Sequence, residues 1–103
     1  MMKEWNQDEL NTFFIDQSTG LVYFYTPLCG TCQVASKMLL VIEEMLKTKI
    51  GKMNLNFFPE TAKNFSVESV PCLLFVKNGE VVETIYAFHS VPYLLEKINQ
   101  QLN

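Results

Sequence analysis

No apolar run in the 103 residues approaches the roughly 20 positions that a membrane-spanning helix needs, so a bilayer-spanning role is not expected. The segment Met1–Glu9 lacks a basic stretch leading into an apolar one and a small-residue cleavage site, so a signal peptide is not expected and the cytoplasm is the expected location. Basic charge is also sparse. Eight lysine and arginine positions are scattered against eleven acidic ones, and the net charge of −3 leaves no footprint for phosphate backbones or anionic lipid; nucleic acid and membrane are not expected partners. Cysteine is scarce and odd in number, at three, which does not suit the disulfide framework of a small secreted domain. The one histidine, His89, has no cysteine or acid close to it in sequence that would suggest a triad or metal site, and reads as a surface residue.

Hydrophobic residues make up 49% of the chain, with eight Phe and four Tyr, too many for a disordered chain. The length suits one domain over residues 1–103 with a single core. Asn6 with Glu9 three residues later is a capping-box pair, and Trp5 and Leu10 occupy staple positions, so a helix is expected from about Gln7 to Asp16. The dense aromatic and β-branched run Leu21–Tyr25 reads as a central strand buried on both faces. From Cys32 to about Thr48, Val34, Met38, Val41, Ile42 and Met45 recur at helical steps and suggest the buried face of an amphipathic helix, with Glu43, Glu44 and Lys47 opposite and Gly51 as its end. Lys52–Phe57 alternates as a strand does, and Pro59–Phe65 reads as a short helix opened by proline. Met38, Met45 and Met53 are read as core filler. Pro71–Val76 and Glu80–Tyr86, joined through Asn78-Gly79, predict an antiparallel hairpin with a type I′ turn. Ser90 as cap, Pro92 in the first turn, and Val91, Leu94, Leu95, Ile98 and Leu102 along one face predict a closing helix. The order implies an α/β fold, a mixed sheet covered by helices on both faces.

The chemistry is concentrated in Cys29-Gly30-Thr31-Cys32. Two cysteines three apart, at the start of a helix that follows a strand, can close a small disulfide ring. The helix N-terminus stabilises a thiolate at the first and lowers its pKa from the free value of about 8.5. That thiolate is a nucleophile, and the second thiol can resolve the mixed disulfide it forms. Gly30 is expected to let the turn pass close to the sulfur without a Cβ, and Thr31 to leave the pair less rigid than proline would. Taken alone, a C-x-x-C pair also fits half a zinc site or two packed thiols; the strand before it, the helix after it and the hairpin downstream favour redox chemistry.

With Thr26-Pro27-Leu28 before Cys29-Gly30-Thr31-Cys32-Gln33, then Lys52-Met53-Asn54-Leu55, Val70-Pro71 and Phe75-Val76-Lys77-Asn78-Gly79-Glu80, nearly the whole chain resembles the thioredoxin superfamily. The resemblance implies a thioredoxin fold and a cis bond before Pro71, which lies against the dithiol and leaves the Val70 backbone free to pair with a substrate strand. A proline merely opening an edge strand is the physical alternative. The chain also departs from the family pattern. Tyr23 stands where a buried aspartate manages the proton of the second cysteine. Lys52 matches the lysine that accompanies that aspartate, and either helps with the task or is a solvated strand residue. Leu28 replaces a tryptophan, Ala87 a glycine and Lys37 a proline. Cys72 replaces a threonine; it is either a third reactive thiol near the dithiol or a small buried hydrophobe.

The reading that results is a thiol–disulfide oxidoreductase, a protein-disulfide reductase acting through Cys29 as nucleophile and Cys32 as resolving thiol. Its partners would be disulfide-containing proteins and an upstream thiol reductant, and it would be a monomer with no cofactor beyond the Cys29–Cys32 disulfide. Two alternatives stand beside it: a module holding zinc or an iron–sulfur cluster through Cys29, Cys32 and Cys72, and an adaptor with a vestigial dithiol.

Overall fold

Strand β2, Gly20–Tyr25, is the centre of the molecule because almost every side chain it carries is apolar and none needs water. Leu21, Val22, Tyr23 and Phe24 are all fully buried in the computed structural model, which describes residues 2–103. Alternation sends Leu21 and Tyr23 into one core and Val22 and Phe24 into another, so the sheet must be covered twice. The other strands are β1 (Lys3–Glu4), β3 (Ile50–Asn54), β4 (Cys72–Lys77) and β5 (Glu80–Ile85), in the order β1-β3-β2-β4-β5. β1 and β2 run parallel to β3, while β4 lies antiparallel to β2 and β5 to β4.

The helices are α1 (Gln7–Ile15), α2 (Gly30–Leu46), α3 (Pro59–Asn64) and α4 (Val91–Leu102). Ala35, Leu39 and Ile42 of α2 and Leu94 and Ile98 of α4 pack on the Leu21–Tyr23 face, and Leu10 and Phe13 of α1 on the Val22–Phe24 face. Local signals at the helix starts hold. Asn6 Oδ1 accepts from Glu9 N–H at 2.9 Å while Glu9 Oε1 accepts from Asn6 N–H at 3.0 Å, and Ser90 Oγ accepts from Tyr93 N–H at 3.2 Å. Asn78 and Gly79 both take positive φ, 52° and 80°, as the type I′ turn requires. Among the described residues no helix is long and apolar enough to cross a membrane.

Three expectations fail. The α2 face suggested by Val34, Val41 and Met45 is exposed, and the buried face is Cys32, Ala35, Leu39 and Ile42; Met45 is therefore not core filler, whereas Met53 is fully buried. Both stripes have helical spacing, and the choice falls to the one that begins at the sheet-facing Cys32. Gly51 does not end α2, which stops at Leu46 with Lys47 in the left-handed region (φ 53°) donating its N–H to Glu43 O at 3.0 Å. Gly51 lies inside β3, beneath the Trp5 ring. The strand read over Lys52–Phe57 runs from Ile50 to Asn54 and then turns into a 3-10 helix, Leu55–Phe57, because the Asn54 side chain accepts from Asn56 N–H at 3.0 Å and bends the backbone out of the sheet. β1 has no counterpart in the sequence pattern. Two exposed residues carry no strand signature, and β1 exists through its pairing with β3 and the bond from Trp5 N–H to Lys52 O at 2.8 Å.

Candidate active site

The C-terminal end of β2 feeds through Thr26-Pro27-Leu28 into Cys29, which is the N-cap of α2. Cys29 and Cys32 are joined by a disulfide, with Cys29 half-buried and Cys32 buried. Three groups converge on the Cys29 sulfur. Cys32 N–H donates to it at 3.1 Å, the Thr31 hydroxyl lies 3.4 Å away, and the Val70 carbonyl oxygen lies at 3.9 Å. The first two are donors at a helix N-terminus, placed where they would stabilise negative charge on sulfur once the bond opens. The Val70–Pro71 bond is cis and brings the loop before β4 against the dithiol. Thr31 thus has a donor role that its comparison with proline did not reveal. Beyond its chain neighbours and its own helix backbone, a Cβ built on Gly30 meets no atom within 4 Å, so no other part of the chain requires glycine there.

Behind the dithiol, the fully buried Tyr23 donates its hydroxyl to the Cys32 carbonyl at 2.8 Å and lies 2.9 Å from Ser36 Oγ. Burial pushes the Tyr23 phenol up from its ordinary pKa, with the Ser36 hydrogen bond opposing that shift. Ser36 escaped notice in the sequence; the signal for it was its place one helical turn after Cys32. Lys52 pairs with Tyr23 in register but engages other groups. Its Nζ lies 3.8 Å from Glu4 Oε1 and 5.3 Å from the centroid of the Tyr25 ring, while Tyr25 donates its hydroxyl to that same Glu4 oxygen at 2.7 Å. Burial first, then the Glu4 bond and charge, raise the Tyr25 pKa.

Cys72 follows Pro71 in sequence, but its fully buried side chain belongs to the core on the α1 face, with Phe24, Leu74 and Val70. Burial pushes its thiol up to about 12, against a smaller lowering by a Tyr86 hydrogen bond. Because the unfolded thiol ionises near 9 and the folded one near 12, the unfolded state loses its proton first as pH rises. Stability is therefore fully present below about pH 9 and falls above it, by about 1.4 kcal/mol per pH unit from this group. Native protein is expected to leave Cys72 unalkylated at pH 8 until denaturant is added. The alkaline loss of stability is expected to be shallower in Cys72→Ala, as read by denaturant titrations at pH 8 and pH 10.5. Prompt native alkylation of Cys72 would contradict the burial argument.

Beside the dithiol, Thr31, Val34, Met38, Val70, Pro71 and Ala87 contribute to a groove of about 460 Å³ whose far wall includes Phe88 and His89. Val34 and Ala87 are exposed there. His89 is exposed as expected and sets its ring edge-on to Tyr93, with centroids 4.6 Å apart. Leu28 is 98% exposed just before Cys29, and Phe57 is 75% exposed on the turn after β3. Among the described residues, no three His, Cys, Asp or Glu side chains come together as metal ligands do, and the buried Cys72 is not grouped with the dithiol as a third ligand.

A dithiol capping a helix at the end of the central strand, with a cis-proline loop against its first sulfur, defines a thiol–disulfide exchange domain. The chain belongs to the thioredoxin family, whose model matches residues 1–100. It is 50% identical over 101 residues to the "thioredoxin-like protein YusE" of Bacillus subtilis strain 168, covering 97% of this chain and 93% of that protein. It is 41% identical over 93 residues to a thioredoxin of Listeria monocytogenes, covering 86% and 90% of the two chains. Among solved structures, a single-residue mutant of the thioredoxin from Halobacterium salinarum NRC-1 superposes with a TM-score of 0.87 at 24% identity, over 99% of this chain and 90% of that one, and supports the fold. The protein is a thiol–disulfide oxidoreductase with a redox-active Cys29–Cys32 pair.

Proposed function

We propose that the protein reduces disulfides in other proteins, with Cys29 as the attacking thiolate and Cys32 as the resolving thiol, and that an upstream thiol reductase returns it to the dithiol state. The observation that carries this reading is the set of donors on the Cys29 sulfur, Cys32 N–H and the Thr31 hydroxyl, combined with the burial of Cys32. One thiol is prepared to be ionised and accessible, and the other is kept from solvent until the first has reacted.

In the first step the Cys29 thiolate attacks one sulfur of the substrate. A Cys29–substrate bond forms, the substrate disulfide breaks, and the departing sulfur leaves as a thiolate that takes a proton from water. In the second, Cys32 loses its proton to water and attacks the Cys29 sulfur, closing the ring and releasing the second substrate thiolate. Two electrons have passed from the protein dithiol to the substrate, with no bound cofactor. Val70 supports substrate positioning, since its carbonyl faces the sulfur beside Pro71 and an extended segment laid in the groove could pair with its backbone. Lys52 is engaged with Glu4 and the Tyr25 ring, so in this reading it is not the acceptor of the Cys32 proton. We place this activity in the cytoplasm and assign it to the monomer.

The test is reduction of insulin interchain disulfides, followed by precipitation, with dithiothreitol or with NADPH and thioredoxin reductase as the electron source. Catalytic protein is expected to accelerate precipitation well beyond reductant alone. If neither electron source supports acceleration, and the pair does not equilibrate with glutathione, the reductase reading fails.

A further inference from the structure

The three hydrogen-bonding atoms behind Cys32 form a chain with a fixed direction. A phenol has one proton. Tyr23 spends it on the Cys32 carbonyl at 2.8 Å, so in the 2.9 Å contact with Ser36 it is Ser36 Oγ that donates and Tyr23 Oη that accepts. The Cys32 carbonyl is in the first turn of α2, and Ser36 is one turn further along the same helix. Tyr23 comes from the middle of β2 and is fully buried, with its ring stacked near Tyr25 and edge-on to Phe88. Its hydroxyl is therefore held at both ends by the helix that carries the dithiol, and it ties that helix turn to the central strand of the sheet.

We infer that Tyr23 and Ser36 are positioning residues for the resolving thiol, holding the Cys32 turn in place against β2 when the disulfide opens so that Cys32 remains aimed at Cys29. The inference rests on the exchange reading above and deepens its second step. A phenol whose only proton is committed to a carbonyl is no acceptor for the Cys32 proton, so the pair acts by geometry and the proton passes to water. The charged groups on the same sheet face, Lys52 of β3 and Glu4 of β1, engage each other and Tyr25 rather than this chain of hydroxyls.

A small aromatic disulfide, 5,5′-dithiobis(2-nitrobenzoate), separates the two steps, because attack by Cys29 releases the first chromophore and ring closure by Cys32 the second. Tyr23→Phe keeps the ring and its packing and removes only the hydroxyl. It is expected to leave the first release rate unchanged and slow the second about three- to tenfold, the range set by one neutral hydrogen bond. The equilibrium constant for ring closure by oxidised glutathione is expected to fall in the same direction, a change that looser packing elsewhere would not produce. Ser36→Ala, at the half-exposed end of the chain and outside the apolar core, is expected to show a smaller slowing of the second release alone. Wild-type ring closure and glutathione equilibrium in both folded variants would overturn the inference while leaving the exchange reading intact. Absence of the first release in the wild-type protein would overturn both.

Discussion

Replacing Cys29 by serine is expected to reduce disulfide exchange to the level of reductant alone, a loss of at least about a hundredfold, because a hydroxyl is not ionised near neutral pH by the donors that suffice for a thiol. Cys32 cannot take over. It is buried, and among the described residues no donor is arranged on its sulfur comparable to the Cys32 N–H and Thr31 hydroxyl that serve Cys29. Cys72 cannot take over either, being fully buried in the α1-side core with its thiol pushed up to about 12. Cys32→Ser should behave differently. The Cys29 thiolate still attacks, but nothing closes the ring, so a covalent Cys29–substrate adduct persists until an external thiol releases it. Non-reducing gels of cell extract incubated with Cys32→Ser should show discrete high-mass adducts that vanish with dithiothreitol and are absent from the Cys29→Ser, Cys32→Ser double variant. Adducts that survived in the double variant would assign the nucleophile to Cys72 and overturn the proposed roles.

The dithiol was readable from the chain because its parts are local. The dithiol, the helix it caps and the strand before it lie within the single stretch of residues 20–46, and each follows from spacing and composition. What was not readable is what arrives from elsewhere. Ser36 gains its meaning from Tyr23, Glu4 from Tyr25 and Lys52, and the exposed Phe57 from the bend that Asn54 imposes. Cys72 shows the same limit from the other side: adjacency to Pro71 in sequence says nothing about which face of β4 the next side chain takes, and alternation sends it away from Tyr23 and into the opposite core.

The fold shows a similar division. Elements with a cap, a turn dipeptide or a dense β-branched run were placed within a residue or so: α1, β2, the β4–β5 hairpin and α4. Helix α2 was placed, but its buried side was not. Two apolar stripes with helical spacing compete on it, and only the sheet decides that Ala35 and Leu39 go inward while Val34, Val41 and Met45 stay in water. The exposed stripe begins at the groove beside the dithiol, at Val34. The edge strand β1 is invisible to any periodicity test because two residues have no period, and its position follows from what Trp5 covers.

That coverage makes Gly51 the position where a single methyl group is expected to do the most damage to stability. Trp5 is 5% exposed, packs 5.1 Å from the Phe13 ring, and lies flat over Gly51 in β3, so that a Cβ at residue 51 would overlap Cδ2, Cε2 and Cε3 of the indole. Unlike the end of a long lysine, the indole cannot fold aside, since Trp5 N–H is bonded to Lys52 O and Asn6 begins the capped helix α1. Gly51→Ala must either overpack this layer or expel the ring. The first costs about 1–3 kcal/mol and the second approaches the roughly 3–5 kcal/mol typical of removing a buried tryptophan. A loss of about 2–4 kcal/mol lowers Tm by roughly 10–25 °C in a domain of this size. Because Trp5 is the only tryptophan, its fluorescence reports the event directly, and a red-shifted native emission would mean that the ring has moved into water. Gly30→Ala is the control: its Cβ meets nothing within 4 Å beyond its chain neighbours and own helix backbone, and alanine suits the first turn of α2, so stability should hold or rise slightly. The clash also predicts non-additivity. Trp5→Leu alone should destabilise, but Gly51→Ala added to it should cost much less than in the wild-type background, because the atoms it strikes are gone. An unchanged Tm and native emission in Gly51→Ala would show that β1 and Trp5 do not sit on β3 as described.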